Sequence, residues 1–333
     1  MPSPSTMKAL YIDSPNAPFR LAEIPRPKPG PGQVLVRIAA SGVNPLDTKI
    51  RAGAAAHARH PFPAVLGIDL AGTVEEIGDD VSDFHPGDEV YGMTGGVGGN
   101  QGSLAEYAAV DARLLALKPN NLSMREAAAL PLATITAWEG LVDRARLQAG
   151  QKVLVLGGAG GVGHVAVQIA KAFGADAYAV DGGAKADYIR SIGATPIDYR
   201  AQTVEDYLAA HTNGQGFDLV YDTIGGANLD AAFQAVRRFG HVVSALGWGT
   251  HALAPLSFKA ASYSGVFTLL PLLTGEGRQH HGEIMREATK LVEAGKLVPR
   301  LDPHRFTLAD VDKAHALIEN RQAQGKIVVD VNG

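Results

Sequence analysis

Two rhythms of apolar residues divide the chain. From Lys8 to about Leu117, short β-like runs (MKALYI, QVLVRIAA, AGTVEEIG, DEVYGM and SLAEYAAV) alternate with Gly and Pro turns. Such spacing predicts a compact β-rich or barrel-like domain rather than βαβ units. The stretch GMTGGVGGNQGS, 92–103, fits neither a strand nor a helix period and is expected to be a mobile loop. From about Met124 a helical stretch, MREAAALPLATITAWEGLVDRA, leads into the second rhythm. Here β-rich runs recur at a near-constant interval: VLVL at 153, AYAV at 177, DLVY at 218, HVVSAL at 241 and GVFTLL at 265. The widest gap leaves room for one more strand near ATPID, 194–198. Helical patterns lie between the runs; Val165, Ile169 and Phe173 share one face, and Gly174 follows at a C′ position. Strands alternating with helices require parallel crossovers, so this region reads as α/β, a doubly wound parallel sheet. After about residue 270 the pattern drifts. A helix with Ile284, Ala288, Leu291 and Val292 on one face ends at Gly295, and a strand-like KIVVDV closes the chain. Too short to fold alone, this tail must pack on one of the two domains.

Composition narrows the function. The 333 residues suffice for two cores, and 46% hydrophobic with 19% charged residues is ordinary for a globular protein. A net charge of −4, with Lys and Arg scattered, offers no footprint for nucleic acid. No apolar run approaches the roughly 18 residues needed to span a bilayer. The start, MPSPSTMKALYI, lacks the features of a signal peptide, so a cytoplasmic protein is expected, its ordered fold opening at Met7 after a short leader. The absence of cysteine excludes disulfides and thiolate metal sites. The eleven His show no HExxH pattern. His280 and His281 are expected in an exposed Gly-rich turn, and His57 and His60 in an Ala-rich loop, all as ordinary surface residues.

The chemistry concentrates in VLVLGGAGGVGHVAVQ, 153–168. Gly158-x-Gly160-x-x-Gly163 follows a predicted strand and opens a predicted helix, the context of a dinucleotide fingerprint. Gly158 permits a tight turn, Gly160 lets the backbone approach a pyrophosphate, and Gly163 lets helix and strand pack closely. With Ala159, Gly161 and Val162 between them, they present helix N-terminal N–H groups to phosphate oxygens. Asp181 ends the next strand, where a carboxylate binds the adenosine ribose and repels a 2′-phosphate, favouring NADH. It is also a natural turn former before Gly182-Gly183. Lys185 and Tyr199 lie where they would instead embrace a phosphate, so NAD(P)H is the cofactor expected and the preference stays open.

The stretches SGVNPLDTKIRAG (41–53), LGIDLAGTVEEIG (66–78), PGDEVYG (86–92), the glycine loop, FDLVYDTIGG (217–226) and GKIVVDV (325–331) together resemble the medium-chain dehydrogenase/reductase superfamily. Within it the chain is most similar to the zinc-independent quinone oxidoreductase branch, which includes zeta-crystallin. The resemblance implies a GroES-like catalytic domain at 7–125, a Rossmann domain at 126–269, and a return to the catalytic domain at 270–333. Nicotinamide would lie in a cleft between the two. Zinc-dependent relatives line that cleft with a catalytic Cys and a Gly-His-Glu motif; the matching positions here read Asn44 and Ile68-Asp69. A zinc-free site points to quinones or α,β-unsaturated carbonyls, which spread hydride density by conjugation. The resemblance makes Asn44, Asp47 and Lys49 the candidate catalytic residues. Asn44 would donate to substrate or orient the ring, or merely form an Asn-Pro turn. Asp47, with Asp69, would fix loops around the cleft. Lys49 stands where many relatives have Tyr and would offer a cation or proton donor. Thr136, Thr223, Ala245, Leu246, Gly247, Phe267 and Thr268 would border the cofactor, and a homodimer is expected. Two alternatives remain open: a zinc alcohol dehydrogenase, and a non-enzymatic nicotinamide-binding protein, crystallin-like or RNA-associated.

Overall fold

The computed structural model describes Ser5–Val331; residues 1–4 of the expected leader and residues 332–333 lie outside the described residues. The strands in chain order are β1 (Thr6–Ile12), β2 (Arg20–Pro25), β3 (Gln33–Val43), β4 (Ala64–Val65), β5 (Asp69–Ile77), β6 (Glu89–Met93), β7 (Tyr107–Asp111) and β8 (Leu115–Leu117). There follow β9 (Lys152–Leu156), β10 (Asp176–Asp181), β11 (Thr195–Asp198), β12 (Phe217–Asp222), β13 (Val236–Ser244) and β14 (Ser262–Gly265), then β15 (Phe306–Thr307) and β16 (Ile327–Asp330). The chain separates into two compact units. The first takes the chain up to Leu132, Leu269–Glu293 and everything from Pro299 onward; the second takes Ala133–Thr268 and Ala294–Val298.

In the first unit, β3 is long because its apolar residues face a core on one side and closing strands on the other. Val34, Val36 and Ile38 pack with Leu70, Val74, Val90 and Leu115. The sheet runs β15-β16-β3-β5-β6-β8, with β7 also on β3, and β1, β2 and β4 form a separate three-stranded sheet. The closing KIVVDV run is thus an interior strand: β16 pairs antiparallel with β3, Ile327 opposite Val43 and Asp330 opposite Ala40. This pairing fixes Lys326, at the strand's threshold, beside the end of β3.

Residues 92–103 contradict the expected mobile loop. Most of the segment is buried, and its backbone is tied down: Gly98 N–H donates to Ala58 O, Gly102 N–H to Val65 O and Ser103 N–H to Gly67 O. The Asn100 amide donates to Val97 O and Leu272 O. Gly96, Gly98 and Gly99 take positive φ, and others of the glycines serve close packing. A Cβ on Gly95 would sit 1.8 Å from Gln101 O, and one on Gly102 2.2 Å from the Leu66 carbonyl. Composition alone does not separate a glycine needed for flexibility from one needed for contact.

The stretch read as one helix from Met124 is broken. Ser123 caps the helix Met124–Ala128 through a box with Glu126, and Pro131 then starts a new helix, Pro131–Trp138, because its ring and missing N–H end the preceding ladder. Glu139–Arg144 continues with π-helical geometry. There the Tyr221 hydroxyl takes the Thr136 carbonyl at 2.6 Å, and its ring presses on Gly140, so the helix ladder widens locally.

The second unit carries the doubly wound sheet, order β11-β10-β9-β12-β13-β14, with every pairing parallel. Its central strands are largely apolar, as both faces are covered: Leu154, Val220 and Val242 pack with Phe217, Leu229 and Phe233. The additional strand near 194–198 is β11. The strand expected at 265 is not there: β14 ends at Gly265, and Phe267 and Thr268 follow it. An edge strand reading Ser-Tyr-Ser-Gly buries too little to show an apolar run. HVVSAL likewise leaves the ladder at Ser244. Gly174, at φ +80°, terminates the helix Gly163–Ala172 as the C′ residue. His280 and His281 lie in the helix Arg278–Glu293, not in a turn, and His281 is buried. Gly282 beside them packs on the Arg113 carbonyl, which brings that face inward.

Because a Cβ at Gly102 has no room, Gly102→Ala is expected to destabilise the protein by about 1–3 kcal/mol. Chemical denaturation measures it; an unchanged midpoint would restore a mobile 92–103 loop.

Candidate functional site

The glycine loop lies at the carboxyl end of β9, between β10 and β12, where the strand order of the sheet reverses. Gly157 turns the chain at φ +77°, a position that the fingerprint reading had passed over. Gly157 and Gly158 both donate to Val180 O, which stitches the loop to β10, and a Cβ on Gly158 would fall 2.4 Å from that of Ala179. Gly163 allows the closest contact: a Cβ there would sit 2.0 Å from Gly157 O. By contrast, Gly160 is exposed, and a Cβ on it would approach only Gly157 O, at 3.1 Å. The room above Gly160 is empty of protein, whereas the other two glycines are filled by it. The N–H groups of Gly161 and Val162 have no backbone acceptor among the described residues, and they stand at the N-terminus of a ten-residue helix. These residues fit a pyrophosphate: open backbone, free donors and the positive end of the helix dipole.

Asp181 ends β10 with both oxygens engaged, Oδ2 accepting from Ala159 N–H at 3.0 Å and Oδ1 from Gly182 N–H at 2.8 Å. It forms the turn and shapes the loop at once, and the remaining lone pairs are what a ribose would use. Asp198 lies opposite it in register on β11. A pocket of about 220 Å³ opens here, lined among others by Asp181, Gly182, Arg190, Ile197, Asp198 and Gln202. Lys185 is half-buried in the turn after β10, and Tyr199 is exposed after β11. Arg200, which the motif reading missed, places its guanidinium 5.6 Å from the Tyr199 ring centre. No local spacing announces it.

At the neighbouring strand ends, the Asp222 carboxylate is fully buried and organises two loops. It accepts from Ile224 and Gly225 N–H and from the Ser244 hydroxyl, which in turn accepts from Leu246 N–H. Thr223 Oγ1 donates to Leu156 O, and Ala245 N–H to Asp222 O. A Cβ on Gly247 would strike the Tyr263 hydroxyl at 2.1 Å. Phe267 stands edge-on to Trp248, which is half exposed, and Thr268 is buried. Thr136 is held through its carbonyl by Tyr221.

The first unit holds a second constellation. Asn44 precedes the helix Pro45–Arg51, and its N–H donates to Asp47 Oδ2 at 2.7 Å. Its side-chain Nδ2 donates to Asp69 Oδ2 at 3.0 Å, and its Oδ1 accepts from Lys326 Nζ. Asp69 Oδ1 takes the Leu132 N–H at 2.9 Å. All four side chains are buried, and Asp47 Oδ1 has no hydrogen-bond partner among the described residues. With both carboxyls ionised, one ammonium would leave an excess negative charge in a dry place. Burial pushes Asp47 up to about 7 and Asp69 to about 6, and it pulls Lys326 down. The fold thus brings Asn44 and Asp47 together with Asp69, while Lys49 points its charge outward from the same short helix and joins no part of the cluster. Lys326 was missed because a lysine opening an apolar strand carries no local signal for burial.

Residues 30–120 match the family described as the alcohol dehydrogenase GroES-like domain, and 192–329 the one described as zinc-binding dehydrogenase. A 2-methylene-furan-3-one reductase from Solanum lycopersicum is 38% identical over 305 residues, covering 89% of this chain and 71% of the relative. An NADPH-dependent alkenal/one oxidoreductase from Arabidopsis thaliana, chloroplastic, is 37% identical, covering 89% and 72%. A solved alcohol dehydrogenase superfamily protein from Novosphingobium aromaticivorans superposes with TM-score 0.97 at 60% identity, covering 98% of this chain and all of that one. The quinone oxidoreductase of Coxiella burnetii gives 0.83 at 29%, covering 98% and 100%. The zinc in one of those descriptions does not suit the residues here. Asn44 Oδ1 and the Asp69 oxygens already serve an ammonium, an amide and a backbone N–H, and a dication on the same atoms would sit against Lys326. No step through a metal follows.

The raised Asp47 has a signed consequence. The unfolded chain ionises this carboxyl from about pH 4, the folded protein only near pH 7, so its contribution to stability falls as pH rises across that window and is level above it. Asp47→Asn keeps an acceptor for Asn44 N–H and removes the titration. The wild-type melting temperature is expected to decline from pH 5 to 8, and the variant's decline to be shallower. Parallel curves in calorimetry would show that Asp47 is ionised throughout.

Proposed function

Because the chain belongs to the medium-chain dehydrogenase/reductase superfamily, we propose that it reduces quinones or α,β-unsaturated carbonyls with NAD(P)H and without a catalytic metal. The observation carrying this reading is the buried ammonium of Lys326 on Asn44 Oδ1, the residue that the family resemblance matches to a metal ligand of zinc-dependent members. Reduction of an isolated ketone loads charge onto one oxygen and calls for a Lewis acid. A conjugated acceptor spreads that charge, and a hydrogen-bond donor is then enough. The names of the tomato, Arabidopsis and Coxiella relatives support the same substrate class.

When bound, the reduced nicotinamide supplies the hydride. The chain's part is to hold and orient. Gly161 and Val162 N–H would take the pyrophosphate, and Asp222 with Ser244 would keep the strand-end loops in shape beneath the dinucleotide. Asn44, whose Nδ2 is held by Asp69, would orient the nicotinamide ring or meet the substrate oxygen. Lys49, exposed on the adjoining helix, is the proposed source of the proton that completes reduction.

For the cofactor we favour NADH. Asp181 and Asp198 lie side by side at the ends of β10 and β11, and two carboxylates there oppose a 2′-phosphate. Lys185, Tyr199 and Arg200 form the opposing cationic and aromatic set, and the Arabidopsis relative is named for NADPH.

Cofactor oxidation across naphthoquinones, alkenals and simple ketones, with each nucleotide, tests the reading. Turnover is expected with conjugated acceptors and not with simple ketones. Binding of nucleotide without turnover on any acceptor would support a non-enzymatic role instead. Asp181→Ser should raise the use of NADPH relative to NADH; an unchanged ratio would remove Asp181 from cofactor selection.

A further inference from the structure

We propose that Lys326 is a positioning residue that fixes the Asn44 side-chain amide in a single orientation, with Asp47 and Asp69 as its buried counter-charges. The inference deepens the functional reading above and rests on it for its catalytic consequence. It stands on the bonding pattern of one amide. An asparagine side chain can flip end for end at little cost when its neighbours accept and donate equally. Here they do not. Lys326 Nζ has only hydrogens to offer, so it must face Oδ1; Asp69 Oδ2 accepts, so it must face Nδ2. Lys326 also donates to Val43 O at 3.4 Å, which anchors its ammonium to the end of β3 rather than to the amide alone. The backbone of Asn44 is held separately, by Asp47 Oδ2. The amide is therefore clamped at both ends and at its root.

The cost of this arrangement argues that it serves more than the fold. A buried cation with two carboxylates is seldom more stable than apolar side chains of similar volume, and Asp47 Oδ1 is left without a hydrogen-bond partner among the described residues. Nor is the cation needed to close the sheet: Ile327, Val328 and Val329 make the ladder contacts with β3. What the ammonium supplies that an apolar residue would not is a donor for Oδ1. Its place is set by pairing of the last strand with β3, 282 residues apart in sequence.

Lys326→Met removes the donor and keeps the stem. With asparagine side chains labelled with ¹⁵N, the wild-type Asn44 amide should give two resolved hydrogens that exchange slowly with solvent; Asn44→Ala identifies the signal. In Lys326→Met they should broaden or exchange quickly. With the best acceptor found, kcat should fall about ten- to a hundredfold, with KM for NAD(P)H within about twofold, as for a lost transition-state donor rather than a lost binding contact. Lys326→Arg should restore part of both. An unaltered amide signal and unaltered kcat in folded Lys326→Met would overturn the proposal. If that variant does not fold, a wild-type Asn44 amide exchanging as fast as exposed asparagines overturns it equally. A clamped amide with no turnover in wild type would leave the positioning intact and remove its catalytic use, which separates failure of the functional reading from failure of this one.

Discussion

The contact between Gly163 and the Gly157 carbonyl governs the second unit. A helix can begin directly above the end of β9 only if its first residue has no side chain, for a Cβ would sit 2.0 Å from that oxygen. The approach directs the helix axis at the loop and leaves the N–H groups of Gly161 and Val162 facing outward at its positive end. Val180 O holds the loop from the β10 side, and the Asp181 carboxylate holds Ala159. The exposed row of N–H groups follows from strand, turn and helix packed as tightly as backbone allows, and Gly160 stays open beside it.

The first unit solves a different problem, that of orienting a small neutral group in an apolar interior. Hydrophobic packing cannot distinguish the two ends of an amide; charge can. Lys326 and Asp69 do so with one donor and one acceptor, and burial of the charged groups is the cost, seen in the raised carboxyls of Asp47 and Asp69. The same ammonium makes the site unsuited to a dication. Loss of metal ligands and gain of an internal cation are thus two aspects of a single chemical choice, and a conjugated substrate is the one that such a choice can serve.

Much of this was legible along the chain, and the exceptions share a physical cause. Apolar runs fully buried on both faces, β9 and β12 among them, were read at nearly their observed positions. The helix Gly163–Ala172 and its terminating Gly174 were read from spacing and conformational freedom. β14 was displaced because an exposed edge strand has no apolar pattern to read. The 92–103 segment was mistaken for a mobile loop because glycine counts do not reveal what lies within 2 Å of a missing Cβ. In the sites, contiguous motifs placed the glycine loop, Asp181 and Asn44. Lys326 and the Asp69 link to Leu132 depend on partners far apart in sequence, and Arg200 stands outside any motif. The difference is between interactions written within one turn of chain and those made only when the sheet closes.

The open face above Gly160 is where a dinucleotide backbone would be admitted. Titration of NADH and NADPH against wild type and Gly160→Val, by calorimetry with unfolding monitored in parallel, tests it directly. Unfolding should stay cooperative and close to wild type, with nucleotide affinity lower by about a hundredfold or more. Affinity unchanged in a folded Gly160→Val would contradict it.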